Sequence, residues 1–179
     1  MNELTIRPRA DDHMQGCVQA LATVHAADRY PVDWPVDPEG WLTPRSMLDA
    51  WVAVDGPAVL GHLVLARPGE ALAMAVGLPS QRLVSVARFF VSAGARRRGV
   101  AARLLDKAIE VAAAYGLRPV LEVEAGAIAA INLYERAGWR YVGSSAADWM
   151  TADGRVAQMR SYVARAFPLD RGHPDHWIV

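Results

Sequence analysis

In the middle of the chain a short, nearly continuous apolar run is followed by apolar positions at helical spacing, and this pattern predicts a strand followed by a helix. Residues 83–91 form a short run rich in β-branched and aromatic side chains, which is typical of a strand. From Val100 to Val111 the apolar positions recur at three- and four-residue spacing, which predicts an amphipathic helix beginning near Gly99. A basic turn, residues 92–98, joins the two elements. We interpret the rest of the chain around this strand–turn–helix unit.

A strand and a helix are predicted at the N-terminus. Residues 4–8 favour a short strand, which a proline ends. Asp11 or Asp12 is expected to cap a helix that reaches about residue 27. The single cysteine, Cys17, is expected on the inner face of this helix as a small hydrophobic residue.

The remaining elements complete an α+β domain. The same signals predict strands at residues 51–54, 59–67, 119–124, 139–143 and 156–163, and a second helix at residues 127–137. Residues 71–76 fit either a strand or a short helix. A strand that follows a strand and a helix is expected to lie parallel to the first, which gives a mixed, mostly antiparallel sheet of about six or seven strands with a central splayed parallel pair and flanking helices. We predict one domain at residues 1–167 and a C-terminal tail at residues 168–179.

Composition narrows the class of protein. The 179 residues are 53% hydrophobic, so an intrinsically disordered chain is excluded. Lysine plus arginine and aspartate plus glutamate both number 19, and this balance does not favour a nucleic-acid or membrane partner. The five histidines show no metal-ligand spacing with Cys17, so no metal is expected. We expect a cytoplasmic protein, and the abundance of alanine, arginine and glycine favours a GC-rich bacterial source.

The turn before the helix has the composition of an anion site. It reads Arg96-Arg97-Arg98-Gly99-Val100-Ala101. A glycine and small residues at a helix start let a ligand approach N–H groups that lack intrahelical partners, and the helix dipole and the arginines add positive potential. The sequence has neither GxxxxGK[ST] nor GxGxxG, which argues against a P-loop NTPase and a Rossmann domain. A phosphate or pyrophosphate is the expected ligand.

These stretches together resemble the GNAT superfamily of acyl-CoA-dependent N-acyltransferases. Residues 96–101, RRRGVA, match that family's [Q/R]-x-x-G-x-[G/A] loop, and residues 131–139, INLYERAGW, look like its A-x-x-L-Y-x-x-x-G-[FW] segment. The resemblance implies acetyl-CoA as co-substrate and, in that family, frequent homodimers. It also implies a set of cofactor-binding residues: Phe89, Phe90, Val91, Arg96, Arg97, Arg98, Gly99, Val100, Ala101 and Ala102.

The resemblance also implies catalytic roles. Tyr134 matches the family's tyrosine that protonates the leaving thiolate, and the backbone around Val91 would hold the thioester carbonyl. Glu122 stands twelve residues before Tyr134, the spacing of the base in the family's ribosomal-protein-alanine acetyltransferases. Glu124 shares its strand face and is the competing base, and a water chain is the third alternative.

The acceptor would meet the segment from Asp28 to Pro44, in which Tyr30 and Trp34 are the candidate substrate-binding residues. A packed loop is the simpler interpretation of this segment. Its aspartates and aromatic rings would suit a cationic amine. The predicted activity is acetyl transfer from acetyl-CoA to a primary amine of a small molecule or protein, by direct attack in a ternary complex. The alternative is a non-catalytic acyl-CoA sensor or interaction module, because Ala127 stands where the family often has an asparagine near the pantetheine.

Overall fold

The computed structural model of the chain describes residues 3–165, which form one mixed sheet with helices on both faces. In chain order the elements are β1 (Thr5–Pro8), α1 (Met14–Asp28), α2 (Pro38–Leu42), β2 (Met47–Asp55), β3 (Ala58–Ala66), α3 (Glu70–Val76), β4 (Leu83–Val91), α4 (Val100–Ala114), β5 (Arg118–Glu124), α5 (Ile128–Arg136), β6 (Arg140–Met150) and β7 (Val156–Val163). Short 3₁₀ turns occupy Asp11–His13, Ser80–Arg82 and Ala93–Ala95. The predicted tail at residues 168–179 lies outside the described residues.

The seven strands lie in the order β1-β2-β3-β4-β5-β7-β6, and only β4 and β5 are parallel. The parallel pair is made through α4, which runs between the two strands in the chain. The fold class predicted from the sequence is therefore confirmed.

The two parallel strands separate after a short contact. They pair only at Leu83 with Arg118, Val84 with Pro119 and Ser85 with Val120. Beyond that point residues 121–124 of β5 pair with β7 alone. We call the space between residues 86–91 of β4 and residues 121–124 of β5 the interstrand gap. It is the splay that the sequence predicts for the central pair.

Separate hydrophobic clusters cover the two faces of the sheet. On one face, α4 and α5 pack their buried side chains, among them Leu104, Leu105 and Ile131, against Leu121 and Val123 of β5. On the other face, α1 and α2 form a cluster with β2 and β4, and α3 forms another with β5 and β7. Cys17 is completely buried in the α1 cluster, as predicted.

Some local predictions differ from the structure. The expected aspartate cap of α1 is wrong: the helix begins at Met14 after a 3₁₀ turn, and the backbone N–H of Ala10 donates instead to Nδ1 of His13 at 3.0 Å. Residues 71–76 are helical, within α3. Strand β6 is longer than predicted and runs on to Met150. The sequence did not indicate this extension, because its residues are mostly small or polar and alternate between exposed and partly buried positions. None of the helices within residues 3–165 is long and apolar enough to cross a membrane.

Candidate active site

A bulge in β4 turns backbone donors toward the interstrand gap. Arg88 has φ +48°, a left-handed conformation that is unusual for a residue with a side chain, and the β3–β4 register shifts at this point. Beyond the bulge, the N–H of Ser92 donates to the carbonyl of Leu60 at 2.8 Å, and Val91 lies opposite Gly61. Because successive N–H groups of a strand point to opposite sides, the Val91 N–H points away from β3 and into the gap.

A buried histidine holds the bulge. His62, on β3, is completely buried and stacks on Phe90 at 5.3 Å between ring centroids. Its Nδ1 lies 2.9 Å from the carbonyl oxygen of Arg88, and its Nε2 lies 2.9 Å from Nη1 of Arg9. Burial lowers the pKa of His62 to about 4, so the ring is neutral above that pH. The strained carbonyl of the bulge thus has a fixed donor.

The N-terminus of α4 presents unpaired donors. Its first backbone hydrogen bond runs from the N–H of Arg103 to the carbonyl of Gly99, at 3.1 Å, so the N–H groups of Val100, Ala101 and Ala102 have no intrahelical acceptor. Gly99 has φ +75°, and a Cβ placed on it would meet no atom within 4 Å. The loop therefore has open space beside N–H groups that an anion could use.

Two of the three loop arginines already have carboxylate partners. Arg96 is paired with Asp28, at the end of α1, and Nη2 of Arg98 lies 3.0 Å from Oδ2 of Asp55. Arg97, with φ +63°, makes no ion pair within residues 3–165. The positive charge available to a ligand is therefore smaller than three arginines suggest. An anion bound here would depend more on the backbone N–H groups.

Two basic side chains farther along α4 also have partners within the protein. Nη1 of Arg103 donates to the carbonyl of Leu4 at 2.7 Å, and Nζ of Lys107 pairs with Glu110 at 2.8 Å. Both side chains thus have protein partners away from the loop.

Tyr134 projects from α5 into the aromatic part of the core. Its ring lies 6.2 Å from the rings of Phe89, Trp139 and Tyr162, and the residue is only 7% exposed. Its hydroxyl makes no hydrogen bond to any residue in the described part of the chain. Burial, and then the nearby hydroxyl of Tyr30, raise the pKa of Tyr134, so the phenol keeps its proton across the neutral range.

Glu122 approaches the gap from the opposite face of the sheet. Its neighbours Leu121 and Val123 are buried against α4 and α5, so the side chain of Glu122 points to the other face, where the carboxylate is exposed. Partial desolvation raises its pKa. The carboxylate of Glu124 instead folds back over Gly126: a Cβ on this glycine would lie 3.3 Å from Oε1 of Glu124.

The predicted acceptor segment supplies an aromatic wall on that second face. Tyr30 packs edge-on against Trp41 of α2, with ring centroids 5.8 Å apart. Trp34 lies instead against His25 of α1, at 5.4 Å. Because the pKa of Tyr134 responds to Tyr30, the structure brings the predicted acid and this predicted substrate residue together. No contact in the described residues brings Trp34 to either tyrosine.

Several residues with predicted ligand-binding roles also make contacts that stabilise the fold. Phe89 packs against Tyr134, whereas the side chain of Phe90 is buried in the α1 cluster on the far face, so only its backbone could meet a ligand in the gap. Asp28 is paired with Arg96, and Asp37 caps α2 by accepting from the N–H of Gly40 at 3.0 Å. These aspartates are thus less available to a cationic acceptor than the sequence suggests.

Comparison with known proteins gives the family. The profile of the acetyltransferase (GNAT) family matches residues 19–139. The chain belongs to the GNAT family. Membership makes this protein an acetyltransferase by descent, and it confirms the resemblance found in the sequence. No curated protein sequence matches this GNAT chain significantly.

Solved structures share the fold of this GNAT chain at low sequence identity. A putative phosphinothricin N-acetyltransferase has a TM-score of 0.68 at 18% identity, over 90% of this chain and 98% of that one. The ribosomal-protein-S18-alanine N-acetyltransferase from Escherichia coli has 0.66 at 18% identity, over 93% and 97%. NAA60 from Arabidopsis thaliana, in complex with acetyl-CoA, has 0.69 at 18% identity, over 90% and 97%.

Sequence reasoning did not find two polar residues of this GNAT site. Arg88 and His62 both interrupt apolar strand runs, AVLGHLVLA in β3 and LVSVARFFV in β4. A charged or polar residue inside a buried strand needs a partner, and this is the signal that could have identified both.

Proposed function

We propose that this protein transfers an acetyl group from acetyl-CoA to a primary amine, by direct attack of the amine within a ternary complex. One observation carries the proposal: the Val91 N–H points into the interstrand gap, and the ring of Tyr134, whose hydroxyl has no partner in residues 3–165, packs against Phe89 of the same strand. A donor for the thioester carbonyl and a candidate proton donor thus belong to neighbouring parts of one strand and the helix packed on it.

The described residues fit acetyl-CoA. The unpaired N–H groups of Val100, Ala101 and Ala102 suit its pyrophosphate, and the open space at Gly99 leaves room for it. The gap suits an extended arm that bonds to the free edge of β4. Acetyl-CoA would supply an activated thioester. The Arabidopsis NAA60 structure is a complex with acetyl-CoA, which supports the same assignment here.

Three groups of this chain then have defined tasks. The Val91 N–H stabilises negative charge that develops on the thioester oxygen. Tyr134, whose raised pKa keeps it protonated, donates a proton to the departing sulfur. Glu122 lies on the opposite face, with an exposed carboxylate whose raised pKa brings its basicity closer to that of an amine, and it takes a proton from the acceptor.

The proposal is tested by measuring acetyl-CoA binding and thiol release separately. Calorimetry with the full chain gives the Kd for acetyl-CoA and for CoA. A DTNB assay with acetyl-CoA and a panel of amino acids, polyamines, aminoglycosides and N-terminal peptides measures release of the CoA thiol. We expect binding in the micromolar range and thiol release that depends on the acceptor.

Two outcomes would contradict the proposal. Failure to bind acetyl-CoA would remove the assignment of its ligand. Binding without thiol release for any amine, and without a change of behaviour in Tyr134→Phe, would favour the non-catalytic sensor.

A further inference from the structure

The guanidinium of Arg88 stands on the acceptor side of the gap in a fixed orientation. Its Nε donates to the carbonyl of Trp41 at 2.9 Å, and its Cζ lies 4.1 Å from the centroid of the Trp41 ring. The backbone of the same residue is held by His62 at the bulge. A side chain fixed at its Nε and on one face keeps its Nη edge for another partner.

No group in the described part of the chain takes that edge. Within residues 3–165, Arg88 makes no ion pair and Nη1 and Nη2 make no hydrogen bond. The residue is partly buried, and burial lowers its pKa, whereas the nearby Tyr30 opposes this shift. A half-buried guanidinium without a carboxylate is unfavourable unless a ligand supplies the negative charge.

The surroundings place this charge close to the proposed chemistry. Tyr30 packs edge-on against Trp41, the ring on which the Arg88 guanidinium lies. It also influences the pKa of both Arg88 and Tyr134, so it lies near the guanidinium and near the proposed acid. Two of the three aspartates of the acceptor segment are engaged elsewhere, Asp28 with Arg96 and Asp37 at the start of α2. The third, Asp33, is exposed and makes no ion pair with Arg88.

We propose that the acceptor is an amine that also carries a carboxylate, such as an amino acid, and that the Nη edge of Arg88 binds this carboxylate. The inference rests on the proposed acetyl transfer and specifies its substrate class. Arg88 positions the acceptor so that its amine faces the gap, while the aromatic pair of Tyr30 and Trp41 lines the same side. A planar carboxylate matches the fork of a guanidinium, which gives geometric selection as well as charge.

The test compares each L-amino acid with its primary amide, in which a neutral amide replaces the carboxylate and the side chain is kept. Because the amide also makes the α-amine easier to deprotonate, each pair is compared at a pH at which both amines are mostly neutral. Thiol release gives kcat/KM for both compounds of a pair, and calorimetry with CoA-loaded protein gives their binding. For wild type we expect a preference of about 10- to 100-fold for the acid form of the accepted compounds, the size of one or two charge-assisted hydrogen bonds. Arg88→Gln should bring this ratio near one, mainly through KM, and Arg88→Lys should leave an intermediate ratio.

Thr43→Val is the matched control, because Thr43 holds the end of α2 and has no hydrogen bond to Arg88 or His62. Its Oγ1 accepts from Nη2 of Arg9 at 2.8 Å. Loosening α2 through Thr43 should change acid and amide alike and leave their ratio at the wild-type value. If Arg88→Gln also changes both alike, Arg88 is only a clamp for Trp41 and the inference is overturned.

Failure of this inference can be told apart from failure of the proposed function. Turnover with amides or carboxylate-free amines that equals or exceeds turnover with the acids overturns the carboxylate assignment and leaves acetyl transfer standing. Absence of carboxylate-dependent binding and turnover across the whole panel overturns it as well, whatever the result of the acetyl-CoA binding experiment.

Discussion

Nη1 of Arg9 lies 2.9 Å from Nε2 of His62, and this contact fixes the protonation state of a buried histidine. A guanidinium can only donate, so Nε2 must accept. The proton is therefore on Nδ1, which donates to the Arg88 carbonyl at 2.9 Å. A second proton on the ring would face the arginine and lose this hydrogen bond.

The His62 site should make stability depend on pH. Its pKa is about 4 in the folded protein, against about 6.5 when unfolded, so the unfolded state binds the proton first as the pH falls. The free energy of unfolding should accordingly drop by roughly 3 kcal/mol from pH 6.5 to pH 4 and stay level above pH 6.5 on account of this group. Urea unfolding at several pH values measures this change. His62→Gln, although less stable, should show a flatter profile, and an equally steep profile would contradict the assignment.

Binding of CoA should depend on Gly99 for a reason other than folding. Gly99→Trp forces a bulky side chain into the open space at this position, and we expect the Kd for CoA to rise at least tenfold. Gly77 is a matched control, since it has φ +76° and is equally open, but it ends α3. Both substitutions should lower stability by about 1–2 kcal/mol, because both place a side chain in the left-handed region. Calorimetry should show weaker CoA binding only for the Gly99 variant; equal binding by both would contradict the site.

The hydroxyl of Tyr134 should matter for turnover more than for binding. Tyr134→Phe removes a group without a protein partner in residues 3–165, so the folded state and the Kd for acetyl-CoA should change little. Loss of the proton donor should lower kcat by about 10²- to 10⁴-fold. Tyr141→Phe removes an exposed hydroxyl, which contacts Ser144 at 2.8 Å, and should leave kcat unchanged. A kcat for Tyr134→Phe equal to that of wild type would assign the proton to another donor.

Glu122 should set the acidic limb of the pH profile. Its raised pKa means that kcat/KM falls as the pH decreases through that value, because the base becomes protonated. Glu122→Gln should lower kcat/KM about 100-fold and remove this limb, whereas Glu124→Gln should preserve it. The reverse result would make Glu124 the base, and retention of the limb in both variants would favour a water chain.

Glu122→Gln should also increase the stability of the folded protein at neutral pH. A carboxyl whose pKa is raised on folding binds its proton more tightly in the folded state, so stability from this group declines as the pH rises above about 4.5. Glu122→Gln stays neutral and should therefore unfold at a higher temperature than wild type at pH 7. The difference should disappear near pH 4, and thermal unfolding at the two pH values measures it.

The sequence was sufficient for the parts of the fold that local patterns determine. The helical spacing that begins near Gly99 and the apolar runs of β4 and β5 each express a backbone preference within a few residues. The anion loop also follows from local chemistry, since a glycine with φ +75° must precede the free donors of α4. These are contacts between neighbours in the chain.

The partners of the charged side chains could not be predicted from local sequence patterns. Arg96 meets Asp28 and Arg98 meets Asp55 across 68 and 43 positions of the chain. The contact between Arg9 and His62 spans 53 positions. Which carboxylate reaches which arginine depends on the packing of α1 and the hairpin against the sheet. The left-handed backbone conformation of Arg88 could not be predicted either, because it depends on a hydrogen bond from His62 of another strand.

The short contact between β4 and β5 gives the sheet two further edges in its interior. Strand edges act as templates for any extended group that carries amide donors and acceptors. The hydrogen-bonded pairing of β4 with β5 ends after Ser85. A ligand arm that adds to the inner edge of β4 would continue this ladder beyond that point. Such a ligand would become a structural member of the folded protein, and its concentration relative to its Kd would set part of the free energy of unfolding.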